Sequence, residues 1–117
     1  MALKPEFRDF LLELFEPFGP IVIKPMFGFV GLYAGEIFFG VVADERVYLK
    51  ADEKTRVDFE AEGKSHLTIH LRSGDIGATS YYEIPDRLYD DPKELALWSR
   101  KAVEIASRLK PKTKRKV

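Results

Sequence analysis

Phe7, Phe10, Leu11, Leu14, Phe15 and Phe18 recur at offsets of 0, 3, 4, 7, 8 and 11 residues. That spacing predicts an amphipathic helix with one apolar stripe packed on a core. Pro5 suits the first turn, where a missing N–H costs nothing, and Pro17, Gly19 and Pro20 end the helix. From residue 21 the pattern shortens into β-rich runs. Ile21-Val22-Ile23 reads as an edge strand or an extended lead-in, given the prolines on either side. Gly28 to Tyr33 and Ile37 to Val42 flank Ala34-Gly35 and read as a tight hairpin. Asp44-Glu45 turns the chain into a third strand, Arg46 to Lys50. Asp52 is placed to cap a second helix that ends at Gly63, with Val57 and Phe59 as its inward candidates. His66 to Leu71 and Ala78 to Tyr82 read as a second hairpin around Ser73-Gly74-Asp75. Asp91-Pro92-Lys93-Glu94 opens a third helix with an N-cap acid, a proline at its first position and a glutamate at its third. Its stripe is Leu95, Trp98, Ala102, Ile105 and Leu109, and Pro111 ends it.

The predicted order is α-β(3)-α-β(2)-α. Short connections make the strand pairs antiparallel. The expected fold class is therefore α+β, a five-stranded antiparallel sheet covered on one face by helices. Phe39 and Trp98 are expected near each other in the core. Residues 1–110 read as one domain and residues 111–117 as a basic disordered tail.

Composition narrows the function classes. With 117 residues, 45% of them hydrophobic, the chain can build one core without staples. No apolar run approaches the roughly 18 residues of a membrane span. Met1 to Glu6 contains no apolar signal region, so a secretory signal is not expected. The absence of cysteine excludes disulfides, thiolate metal sites and cysteine catalysis, and fits a cytoplasmic location. The net charge of zero hides an asymmetry. Arg108, Lys110, Lys112, Lys114, Arg115 and Lys116 supply six of the 19 basic groups, leaving residues 1–107 at −6. An acidic body argues against a folded surface built to hold phosphate backbones.

The search for catalytic chemistry returns little. There is no phosphate-binding glycine motif, and Gly28 and Gly31 form only G-x-x-G inside a strand. His66 and His70 would share a strand face roughly 13 Å apart, too far for one metal, and read as a solvent-facing pair. Ser65 and Ser80 lie in no nucleophile elbow. The acid pairs Asp44-Glu45, Asp52-Glu53 and Asp90-Asp91 fall at turns and caps, where capping and solubility account for them. No catalytic, cofactor-binding or metal-ligating residue is assigned.

One constellation is more informative. With Ala34-Gly35 as a two-residue loop, Gly31 faces Phe38 and Phe29 faces Gly40. Val30, Leu32, Ile37, Phe39 and Val41 then share the core face. Phe29, Tyr33 and Phe38 share the other, with Tyr48 as a neighbour from the third strand. Aromatic rings over cross-strand glycines stabilise a sheet locally. An exposed aromatic patch also marks interfaces, and both readings apply.

Met26-Phe27-Gly28, Gly31-Leu32-Tyr33, Phe39, Val42-Ala43-Asp44 and Val47-Tyr48-Leu49-Lys50 are followed by Ser80-Tyr81-Tyr82-Glu83-Ile84-Pro85, Asp91-Pro92 and Trp98. In order and spacing these segments resemble the N-terminal domain of the TfoX/Sxy family, over about residues 6 to 108. The resemblance implies a secretion-chaperone-like α+β sandwich, with no catalytic residues and no cofactor. Full-length members regulate competence genes with the cyclic-AMP receptor protein and carry a second, helical domain. Here a short basic tail follows Leu109.

The expectation is a cytoplasmic, non-enzymatic protein-interaction domain, a regulator of competence or transcription. It would bind a protein partner or a second copy through Phe29, Tyr33, Phe38 and Tyr48, and its tail would add weak nucleic-acid contact. The alternative is a small-molecule-binding or enzymatic domain with a pocket near Met26-Phe27-Gly28 and Tyr81-Tyr82.

Overall fold

A single antiparallel sheet of six strands, ordered β1-β2-β3-β4-β6-β5, forms the frame of the computed structural model. The structure describes residues 3–26, 29–70 and 76–109. The strands are β1 (Val22–Met26), β2 (Phe29–Ala34), β3 (Ile37–Ala43), β4 (Arg46–Lys50), β5 (His66–His70) and β6 (Ile76–Glu83). The sixth strand is β1, which pairs with β2 at the sheet edge and carries Pro25, a residue that edges tolerate. Phe27-Gly28, residues 71–75, where a turn around Ser73-Gly74-Asp75 is expected, and residues 110–117, which hold the expected tail, lie outside the described residues.

Helices α1 (Pro5–Leu14), α2 (Arg56–Ala61) and α3 (Pro92–Leu109) start where local chemistry directs. The Asp91 carboxylate accepts the Glu94 N–H at 3.2 Å, as an N-cap does. The Asp52 carboxylate accepts the N–H groups of Lys54 and Thr55 at 3.0 and 2.9 Å, opening a turn that leads into α2. Only one of the two inward candidates on α2 is buried: Phe59 is 3% exposed, whereas Val57 is 54% exposed. A 3-10 turn, Asp86–Asp90, links β6 to α3 and is an addition to the expected order. It buries Leu88, and its Tyr89 hydroxyl accepts the Val47 N–H at 2.8 Å.

All three helices contribute to one core. Leu11, Leu14 and Phe15 of the α1 region, Phe59 of α2, and Leu95 and Ala102 of α3 meet Val30, Leu32, Phe39, Val42, Val47, Leu49 and Tyr82 of the sheet. Phe39 and Trp98 enter this core through different neighbours. Phe39 packs on Phe15 and Phe18, with centroids 6.0 and 5.2 Å away. Trp98 meets Phe59 edge-on at 4.9 Å. Phe39 and Trp98 thus pack on the same core, through neighbours from the α1 region and from α2 respectively.

The β2–β3 hairpin differs from expectation by one residue. The loop is Gly35-Glu36, with Ala34 paired to Ile37 and Tyr33 to Phe38. Gly35 takes φ +62, a conformation that costs glycine nothing. Beyond this pair the register shifts, and Leu32 faces Gly40 while Gly31 faces Val41. Phe39 is the extra residue of a β-bulge, which lets both Phe39 and Gly40 turn to the core. A Cβ on Gly40 would lie 2.9 Å from the Tyr48 carbonyl oxygen and 3.3 Å from Leu32 Cδ1. The Phe38–Gly31 and Phe29–Gly40 pairs do not form. Val42 takes the core position expected of Val41, which lies on the opposite face.

Candidate interaction face

The face away from the helices carries two cross-strand rows. In one, Lys24, Gly31, Val41, Tyr48 and Glu83 are successive register partners across β1, β2, β3, β4 and β6. In the other, Val22 faces Tyr33, Tyr33 faces Phe38, and Lys50 faces Tyr81. Phe29 lies on this face too, two residues from Gly31, and is half-buried. Tyr33, Phe38, Tyr48 and Tyr81 are also half-buried, and none belongs to the helix-covered core cluster.

The second row is a continuous aromatic ridge. Tyr33 and Phe38 stack with centroids 5.1 Å apart and planes at 22°. Phe38 and Tyr81 meet at 5.4 Å, although β4 runs between their strands. Lys24 places its ammonium 4.8 Å from the Tyr33 ring centre, and Lys50 places its own 5.1 Å from that of Tyr81. Such cation–π contacts hold the ring faces. Tyr33 is thus flanked by Lys24 from β1 and by Phe38 from β3. Val41 beneath is only 2% exposed, so this face has an apolar layer of its own.

Burial sets the electrostatics here. It pushes the Tyr81 phenol up to about 12, with the Tyr33 hydroxyl adding to the effect. It lowers the Lys50 ammonium below its usual range, and it raises the Tyr48 phenol, with Glu83 as a second cause. Lys50 also donates to the Ser80 hydroxyl at 2.6 Å. Glu83 is neutralised by Arg46 at 3.3 Å and Lys64 at 3.7 Å. Among the described residues, neither Lys24 nor Lys50 has a carboxylate within ion-pair distance.

Of the residues singled out in the sequence, Tyr33 and Phe38 come together, while Phe29 and Tyr48 occupy the same face in other rows. Tyr81 is the ridge residue that sequence reasoning passed over as an interface candidate. Its signal was strand alternation, since Tyr82 points to the core and Tyr81 must then point away.

The alternative pocket near Met26-Phe27-Gly28 and Tyr81-Tyr82 falls partly on Phe27-Gly28, outside the described residues. A cavity of about 810 Å³ runs between α2 and α3 and is lined by Phe59, Leu97, Trp98, Ala102 and Ile105, among others. His66 is not solvent-facing. Its pairing with Tyr82 turns it to the core side, where the rings meet at 6.0 Å and its Nδ1 is buried without a partner. The His70 side chain lies outside the described residues. Among the described residues, no cluster of three or more His, Asp or Glu is arranged to hold a metal, and no helix is long and apolar enough to cross a membrane.

An open antiparallel sheet with helices on one face and an aromatic ridge on the other defines an α+β domain. The chain belongs to the TfoX N-terminal domain family, whose model matches residues 13–106, from the end of α1 to near the end of α3. No curated protein matches it.

Proposed function

We propose that the domain is a non-enzymatic protein-interaction module that binds an acidic, apolar surface of a partner protein through the Tyr33–Phe38–Tyr81 ridge. In keeping with its family, we place it in the regulation of competence genes or of transcription. The observation that carries this reading is the aromatic ridge on the face that the helices leave open.

Two features favour a protein over a nucleic acid on that face. The flanks of the Tyr33 ring are already occupied by Lys24 and Phe38, which leaves no platform for a stacking base. Large aromatic groups are also frequent hot spots of protein interfaces. Charge favours an acidic partner. Among the described residues Lys24 and Lys50 are free of carboxylates, on a body whose net charge is −6, whereas a second copy would oppose like charges. In this reading the basic tail adds weak and salt-sensitive nucleic-acid attraction, and deleting residues 111–117, which removes four of its six basic groups, would weaken it.

The test is capture from native lysate with the wild type, Phe38→Ser and the Lys24→Glu/Lys50→Glu double variant. Loss of the same captured protein with both variants is expected, and capture unchanged by Phe38→Ser overturns the proposal. Analytical ultracentrifugation adds the competing outcome. A wild-type dimer abolished by Phe38→Ser would assign the face to a second copy.

A further inference from the structure

The cavity between α2 and α3 lies away from the aromatic ridge, although Lys50 of the sheet face also lines it. Its floor is apolar and almost fully buried: Phe59, Ala102 and Ile105 are 3, 1 and 2% exposed. Trp98 forms a wall, and Leu97, 59% exposed, forms a lip. A volume of about 810 Å³ lies within the range that accommodates small organic ligands. An apolar side chain held in water at the mouth of an apolar trough gains by being covered.

The rim chooses the charge of the ligand. It carries Lys93 and Lys101 from α3, Lys50 from β4, Asp91 and Glu94 at the start of α3, and Asp58 from α2. Glu94 is engaged by Arg87 at 2.9 and 3.0 Å and by the Trp98 indole N–H at 3.1 Å. Asp91 is engaged as the N-cap of α3. Asp58 is the one rim acid left, and it stands on the α2 side. Among the described residues neither Lys93 nor Lys101 is in an ion pair. The α3 side of the mouth thus presents two ammonium groups beside an apolar trough.

We propose that this groove binds a small anionic amphiphile, an acyl-chain carboxylate whose hydrocarbon covers Leu97 and Trp98 above the buried Phe59, Ala102 and Ile105 and whose carboxylate meets Lys93 and Lys101. The chemistry is that of a chain buried one methylene at a time, with a charge held at the surface.

Trp98 is the only tryptophan of the chain and stands in the groove wall, so its fluorescence reports occupancy. The experiment titrates it with octanoate, decanoate and dodecanoate below their micellar concentrations, and with decyltrimethylammonium as the cationic control. Saturable binding that tightens roughly fourfold per added methylene is expected. The cation should bind at least about tenfold more weakly than decanoate, the factor that 1.4 kcal/mol represents. The Lys93→Glu/Lys101→Glu variant should lose a similar factor with unchanged thermal melting, since Lys93 lies in the first helical turn, where an acid is favourable. Phe38→Ser should bind like the wild type. The proposal is overturned by an absence of saturable change, by equal affinity for the cation, or by undiminished decanoate binding in the double variant.

Discussion

Phe38 stacks on Tyr33 across the β2–β3 hairpin, with centroids 5.1 Å apart and planes at 22°. Both rings stand outside the helix-covered core. Phe38→Ser therefore removes contacts to Tyr33 and Tyr81 without opening a cavity beside Phe39. An aromatic pair contributes about 0.5–1.5 kcal/mol beyond its buried area, so the expected loss of stability is about 2 kcal/mol. Urea denaturation followed by circular dichroism measures it. A loss above about 4 kcal/mol would place Phe38 in the core and remove it as a clean probe of binding.

Trp98 joins α3 to α2. Its ring meets Phe59 edge-on at 4.9 Å, and its indole N–H donates to Glu94 at 3.1 Å. Trp98→Ala should cost about 3 kcal/mol, the lower end for large aromatic truncations, because the ring is only half-buried. Trp98→Phe keeps an edge for Phe59 and should cost less than half as much. Equal stabilities of wild type and Trp98→Ala in urea would show that α2 and α3 hold together without this ring.

The start of α3 was legible because it is local, whereas α2, Arg56–Ala61, is shorter than the span expected between Asp52 and Gly63. Asp91, Pro92 and Glu94 state a start within four residues, and the structure uses Asp91 as the cap. The hairpin frame was not legible. Ala34-Gly35 and Gly35-Glu36 are both acceptable loops, and the choice is linked to a bulge at Phe39. That bulge is set by packing against Phe15, Phe18, Leu32 and Leu49, residues distant in sequence. The aromatic face is kept because moving the loop by one residue shifts the pairing by two, which leaves Phe38 on the face of Tyr33; the bulge beyond it exchanges Val41 for Val42 in the core. Alternation with the inward Tyr82 puts Tyr81 on the open face, but its place beside Phe38 rests on the β4–β6 pairing, which no local pattern reveals. The groove was missed for the same reason, since its walls come from α2 and α3.

Gly40 shows how tight that bulge is. An added Cβ would sit 2.9 Å from a backbone oxygen of Tyr48, which β4 pairing holds in place. Gly40→Ala should destabilise by about 1–3 kcal/mol, as overpacked core sites do. Thermal melting checks this, and a melting temperature equal to the wild type would mean that β3 and β4 separate more easily than their register implies.

The β3–β4 turn supplies a substitution in the opposite direction. Asp44 and Glu45 both take positive φ, 53 and 59, and Ala43 pairs with Arg46 around them. A two-residue loop with both φ values positive is the type I′ turn, which favours Asn-Gly. Glutamate pays a steric cost there that glycine avoids. The Asp44→Asn/Glu45→Gly variant should gain about 1 kcal/mol despite losing the exposed Lys4–Glu45 pair. Urea denaturation decides the sign.

Tyr81 contributes to the alkaline limb of stability, beside Tyr48 and Tyr89, whose phenols burial also raises. Its phenol, near 10 when unfolded, is pushed up to about 12 by burial, with Tyr33 adding to the shift. Between these values the unfolded chain releases its proton while the folded chain retains it. The unfolded state then binds fewer protons, so stability falls as pH rises. The contribution of this group is complete below pH 10 and is lost progressively up to about 12. Lys50 acts in the opposite sense. Burial lowers its ammonium, the unfolded chain holds the proton longer, and stability gains as pH rises toward its unfolded value of 10.5. Lys50→Met removes that opposing gain and should leave a steeper alkaline loss. Tyr81→Phe keeps the ring on Phe38 and removes the titration, so its stability curve should be flatter above pH 10 than that of the wild type. Absorbance at about 295 nm should show one tyrosine ionising near pH 12 in the wild type and missing in Tyr81→Phe. A wild type whose tyrosines all ionise near 10 while the protein stays folded would mean that water reaches the ridge and that its rings are not packed as a layer.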